Sequence, residues 1–285
     1  MDQPNQANPQ SYFLSAIEEA RRPTDILLFM TTLATLLAIL IIISILTSTL
    51  VLWITLAVII LSLILVRIDQ IWLLNNAIAL DGSEYTYLDD IIKEICQNLD
   101  VHNVHTFTVR DTKDPVFVIG HFKQFSIVFD AEFMEVLSEG EARAMLVREI
   151  AQVKYKSAEL NSFIRPLAEK LSILGLGSLI GWMFGFWSRK TEETANRLAL
   201  LYTRDPHTLI KALVVSKMGR KYSELLDEKG LLTQNQYSKG LMRWFASTIS
   251  YESFITVQAK EILEYAIEQN ITVAEETKNL LTALG

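Results

Sequence analysis

Two long apolar runs stand near the start of the chain. Ile26 to Leu46 is almost wholly apolar and uncharged, Thr47 and Ser48 are small and polar, and Thr49 to Val66 is a second apolar run closed by Arg67. Elsewhere the apolar positions recur with shorter periods. Ser11 to Arg22, Tyr87 to Leu99 and Ser138 to Lys154 repeat them every three or four residues and predict amphipathic helices. Ile68 to Leu80 prolongs the second run as helix, and Asp81-Gly82 marks a turn. His105 to Val109 alternates, while Val116 to Ile119 and Phe125 to Phe129 are β-branched or aromatic. These predict three strands, the last two meeting around Gly120 and Lys123. Glu192 to Leu201 reads as helix. Asp205 ahead of Pro206 is a natural start for another helix, running to Met218. Leu231 to Leu284 reads as helices broken at Gly240, at Ser250 and near Asn270. With so few strands, the chain is expected to be α+β and mostly helical.

The two apolar runs suit a bilayer. A hydrocarbon core of about 30 Å takes about 20 apolar residues as helix. The pair over 26–67 is therefore expected to be a tight transmembrane hairpin behind a polar tail and short helix over 1–25. Arg21, Arg22 and Arg67 flank it, and its connecting turn carries no charge. Both ends then face the cytosol, together with the domain over 68–220. Leu171 to Trp187 is a further uncharged run, with Gly177, Gly181 and Gly185 four residues apart on one face. Such spacing lets another helix come close. This run is expected to dip into the membrane or lie against it as a membrane-associated or third membrane segment, and its glycine face could also pair two copies of the chain. Residues 221–285 form a C-terminal helical region.

Composition narrows the function. Half of the residues are hydrophobic and the net charge is −7, with no long basic run, so nucleic-acid binding has no electrostatic support. A lone cysteine, Cys96, makes an intrachain disulfide impossible and fits a reducing compartment.

The candidate chemistry lies in the helix after Ser138. Ser138 and Glu141 form a capping box that marks its start, and Leu146, Ile150 and Val153 are expected to face the core. Arg148 and Gln152 are four apart and share a face, with Glu149 beside the first. Histidine at both positions would give H-E-x-x-H, in which two imidazoles grip zinc and the glutamate activates water. The sequence here is R-E-I-A-Q. Together with Trp187 to Leu201 (WSRKTEETANRLALL) and Asp205-Pro206, the stretch Phe125 to Lys154 resembles metallopeptidase family forty-eight, the HtpX-like and CAAX-prenyl-protease-like gluzincins.

The resemblance covers roughly Tyr87 to Met218 and implies a zincin-like fold with a small sheet beside the site helices. It places Arg148 and Gln152 at the two histidine ligands, Glu149 at the general base and Glu192 at the third ligand. Asn196 stands where the family carries a supporting aspartate. Guanidinium offers no lone pair and a neutral amide is a poor zinc ligand, so no zinc is expected, although the family uses it. An ion pair of Arg148 with Glu192, and with Glu149, is expected to stand in for the metal. His102, His105, His121 and His207 are not positioned by sequence to replace the lost ligands. The family binds extended peptide along an edge strand, matched here by Val116 to Ile119. The resulting expectation is a multi-pass protein of a bacterial inner membrane, a pseudo-metallopeptidase that binds or regulates a membrane protein or an active paralogue. Two other readings stay open: an active zinc endopeptidase with unconventional ligands, and a structural membrane protein unrelated to peptidases. The last expects helix 138–154 and Glu192 to lie apart.

Overall fold

Short runs of alternating, β-branched or aromatic residues build a small mixed sheet. A computed structural model describes residues 17–20, 24–46, 49–80, 86–110, 112, 114–121, 123–172, 177–220, 250 and 253–284. The strands are β1 (Ile78–Ala79), β2 (Val104–Val109), β3 (Val116–His121) and β4 (Gln124–Asp130). They lie in the order β1-β2-β4-β3, with β2 parallel to β4 and the other pairs antiparallel. β3 and β4 form the expected hairpin, turning at Lys123 with a positive φ of 64°. β3 is thereby an edge strand.

Helices surround the sheet. α1 (Thr24–Leu46) and α2 (Thr49–Asn76) pack on each other and correspond to the two apolar runs. Among the described residues one helix is long and apolar enough to cross a membrane, Trp53–Asn76 with a mean hydropathy of 2.2. Leu27–Ile39 of α1 forms a shorter apolar helix. α3 (Thr86–Asn98) follows, then α4 (Ala131–Val136), α5 (Glu139–Lys154), α6 (Ala158–Ser172), α7 (Gly177–Thr203), α8 (Pro206–Met218), α9 (Ile255–Glu268) and α10 (Glu275–Leu284). The fold is α+β and mostly helical.

Local signals explain several boundaries. The Asp130 carboxylate accepts from the backbone N–H of Glu132 and Phe133 and starts α4. Ser138 and Glu141 form the full capping box of α5. Asp205 accepts from Thr208 N and Pro206 opens α8. A second use is made of Glu141, which is buried: Arg220, just past α8, grips both of its oxygens and tethers the start of α5.

One predicted boundary is replaced. The uncharged run from Gly177 on and the polar stretch after Arg189 belong to a single continuous helix, α7, while Leu171 and Ser172 close α6. Two positions of the glycine face are approached from inside the chain. A Cβ at Gly177 would meet Ala168 O at 2.5 Å, and one at Gly185 would meet Ser250 O at 2.5 Å, while Gly181 is buried. Residues 1–16, the turn at Thr47-Ser48, the Asp81-Gly82 turn and the predicted helices over 221–249 lie outside the described residues.

The main core joins one face of the sheet to α3, α5, α7, α8 and α9. Ile95, Ile127, Leu146, Ile150, Leu198, Leu209 and Leu263 are fully buried in it. Residues 17–20 also reach it, through Ile17 and Ala20, and Tyr155 Oη donates to Ile17 O. A smaller apolar cluster forms where α1, α6 and α7 meet.

Candidate functional site

α5 carries its apolar residues into the core and turns Arg148, Glu149 and Gln152 toward a cavity of about 600 Å3. The wall is shared by β3, the C-terminal part of α2, α6, α7, α8 and the start of α9. Arg148, Glu149, Gln152 and Glu192 all line it. α5 and α7 are packed along each other, and Arg148 Nε donates to Asn196 Oδ1 at 2.8 Å. The two stretches that carry the family resemblance are thus neighbours in space. The expectation of an unrelated structural protein, that they lie apart, is not met.

The predicted ion pair forms differently. Arg148 Nη1 donates to Glu149 Oε1 at 2.7 Å, its immediate chain neighbour, rather than bridging to Glu192. Gln152 Nε2 donates to the other oxygen, Oε2, at 2.7 Å. Glu192 is satisfied from another direction, because its Oε2 accepts from the backbone N–H of Ser253 at 3.1 Å. That donor comes from the segment just ahead of α9, about 60 residues on in sequence, so no local spacing announces it.

The contacts extend into a network. Asn161 Nδ2 on α6 donates to Gln152 Oε1 at 3.1 Å and to Thr191 Oγ1 on α7 at 3.2 Å. Asn196 Nδ2 donates to Gln258 Oε1 on α9 at 3.1 Å, and Gln258 Nε2 donates to Ser253 O. Side chains from four helices are therefore tied to one carboxylate. Asn161, Thr191, Ser253 and Gln258 were not singled out by the sequence. The available signal was polarity at core positions: Gln258 is buried within ITVQAKEIL, and Thr191 lies within a buried run of α7.

Glu149 is 2% exposed. Burial pushes its carboxyl up to about 7, and the Arg148 and Arg165 cations oppose that push. A buried carboxylate is tolerated only with partners, and here both oxygens have one. Arg165 itself is paired with Asp114 at the cavity wall, at 3.6 Å. Nearby, burial raises the Asp130 carboxyl, but hydrogen bonds from Thr112, Phe133 and Glu132 outweigh it and hold the group below its ordinary value. Asp130 thereby fixes the segment that leads into β3.

The donor set does not fit zinc. Arg148 and Gln152 point N–H groups at Glu149, and zinc needs lone pairs. Among the described residues, no group of three or more His, Cys, Asp or Glu side chains converges on a common point. His102 is on the surface, 3.2 Å from Asp100.

The outer edge of β3 borders the same cavity. Gly120 N and O both face Ser162 Oγ on α6, and Pro115 O accepts from Asp130 N on β4. Alternation along the strand then directs the backbone groups of Val116 and Val118 away from β4, toward the cavity. Comparison of the chain with known protein families, with curated proteins and with solved structures finds no match in any of the three.

Proposed function

We propose that this chain is a membrane-anchored, cytosol-facing pseudo-metallopeptidase of zincin-like design, whose role is to bind or regulate a membrane protein or an active paralogue. In this reading α1 and α2 are a transmembrane pair. The lengths of both helices, the high hydropathy of Trp53–Asn76 and the charges flanking the pair support it. The arrangement of α5 against α7, with Arg148 hydrogen-bonded to Asn196, supports descent from a gluzincin frame, because those are the positions of a metal ligand and its supporting residue in the family. The observation that carries the non-catalytic reading is the donor set. At the positions of the two imidazoles, Arg148 and Gln152 direct N–H groups at Glu149 and offer no lone pair to the zinc that would activate water. What remains usable is the cavity, with the β3 edge offering Val116 and Val118 to an extended segment by strand addition.

The test is the metal content of purified full-length protein after exposure to zinc, beside an Arg148→His, Gln152→His double variant. The expected result is stoichiometric zinc in the variant and none in the wild type. Stoichiometric zinc in the wild type would overturn the proposal, and zinc in neither would overturn the gluzincin ancestry.

A further inference from the structure

α6 leaves the main core and α7 returns to it on the same side. Ala158 at the start of α6 is buried in that core, as are Ala195 and Leu198 in the second half of α7. Asn196 of α7 is also bonded to Gln258 of α9. A complete crossing over 171–187 would put α9 across the bilayer from α5, yet both helices pack on α8. The excursion is therefore a re-entry and not a span.

Its surface is apolar on the outside as well as within. No charged residue occurs between Lys170 and Arg189. Phe184 and Trp187 of α7 face inward and enclose Phe29 of α1, with ring centroids 6.1 and 5.4 Å away. Trp182 and Phe186, one turn apart on the outer face of α7, are each 50% exposed. α1 likewise exposes Leu27, Met30 and Leu37. Two lengths agree on how far the excursion reaches. At 1.5 Å per residue, Gly177 to Trp187 spans about 15 Å, and Thr24 to Leu36, the last α1 residue in the shared cluster, spans about 18 Å. Both are about half of a 30 Å hydrocarbon core.

We propose that the end of α6 and the first half of α7 form a re-entrant wedge inserted to about the middle of the bilayer beside α1, with Trp182 and Phe186 against lipid. The proposal rests on the membrane anchoring of α1 and α2 given above and not on the state of the zinc site. It places the cavity, whose wall includes Val66 and Trp72 of α2 and Pro166 of α6, at the cytosolic membrane surface.

The experiment uses the full chain in phosphatidylcholine–phosphatidylglycerol vesicles, spin-labelled at Trp182→Cys or Phe186→Cys. Ile41→Cys on α1 and Glu264→Cys on α9 serve as references, and unlabelled-site protein controls for the buried Cys96. The positions are exposed, so the labels leave the core intact. Collisions with oxygen and with a water-soluble nickel chelate report depth. The expected result is that labels at 182 and 186 behave like the label at 41, with 182 deeper than 186 by up to about 6 Å, four residues of helix rise. Labels at 182 and 186 that behave like the label at 264, or that are shielded from both reagents, would overturn the wedge while leaving the anchor in place. A wet label at 41 would overturn the anchor itself, and the wedge with it.

Discussion

Replacing Glu149 by glutamine tests whether its buried carboxylate sets the stability of the site. The substitution keeps shape and one acceptor and removes the charge. In the folded protein the carboxyl is pushed from its ordinary 4.5 up to about 7 by burial. A folded-state value above the unfolded one means that the folded chain holds a proton that the unfolded chain has released. Between those two values the folded state binds more protons, so stability falls as pH rises. The penalty is absent below about 4.5 and fully present above about 7. At about 1.4 kcal/mol per pH unit it amounts to about 3 kcal/mol. Glu149→Gln lacks this penalty, so the difference between wild type and variant cancels the other titrating groups and isolates it. The midpoint of thermal unfolding would be followed by circular dichroism in detergent micelles at pH 5 and pH 8. Since part of the penalty is already present at pH 5, the variant is expected to gain on the wild type by about 2.5 kcal/mol between the two pH values, or about 5–10 °C for a domain of this size. A midpoint difference that does not move with pH would refute the reasoning.

Three further outcomes follow from the same contacts. Glu141→Ala removes the carboxylate half of the capping box and the Arg220 clamp while the backbone N–H of residue 141 still donates to Ser138 Oγ, and is expected to cost about 2 kcal/mol, read as a lower denaturation midpoint. Gly120→Ala puts a Cβ within 2.8 Å of Glu159 Cα and 2.9 Å of its nitrogen, a collision with backbone that is expected to cost about 1–3 kcal/mol in the same assay. Cys96 is buried and its thiol is pushed up to about 11, so iodoacetamide at pH 8 is expected to leave it unmodified in the native protein and to alkylate it fully in denaturant, as read by mass spectrometry.

The elements of this fold were legible wherever a local rule decides them. Ser138 with Glu141, Asp205 with Pro206, and the alternation before and after Gly120 each act within a few residues, and each appears where expected. The partners of the site were not legible, because they depend on what distant segments bring. Arg148 pairs with Glu149 while Glu192 accepts from Ser253 N, and the path of the chain that delivers Ser253 leaves no mark on the spacing around Arg148. The glycine stripe had the same ambiguity. Its spacing promises a close approach without saying to what, and the approach is made by α6 and by Ser250 of the same chain. The unity of α7 was hidden by the change of composition at Arg189, since polarity sets which face is wet and not whether the backbone stays helical.

A site that had merely lost its histidines would leave a buried glutamate facing empty space, and that is not the arrangement here. An uncompensated buried charge costs several kcal/mol. The observed carboxylate has a guanidinium on one oxygen and an amide N–H on the other, and the amide is held in turn by Asn161. The guanidinium is oriented by Asn196, which is oriented by Gln258. Substitution at 148 alone would have placed a cation beside Glu149 but left its second oxygen unmatched. Substitution at 152 alone would have supplied a hydrogen bond without charge. Only the two together satisfy the group, and only with an amide at 196 can the bond from Arg148 and the bond to Gln258 form at once. Under the proposed reading, this mutual dependence marks a centre rebuilt as a brace among α5, α6, α7 and α9.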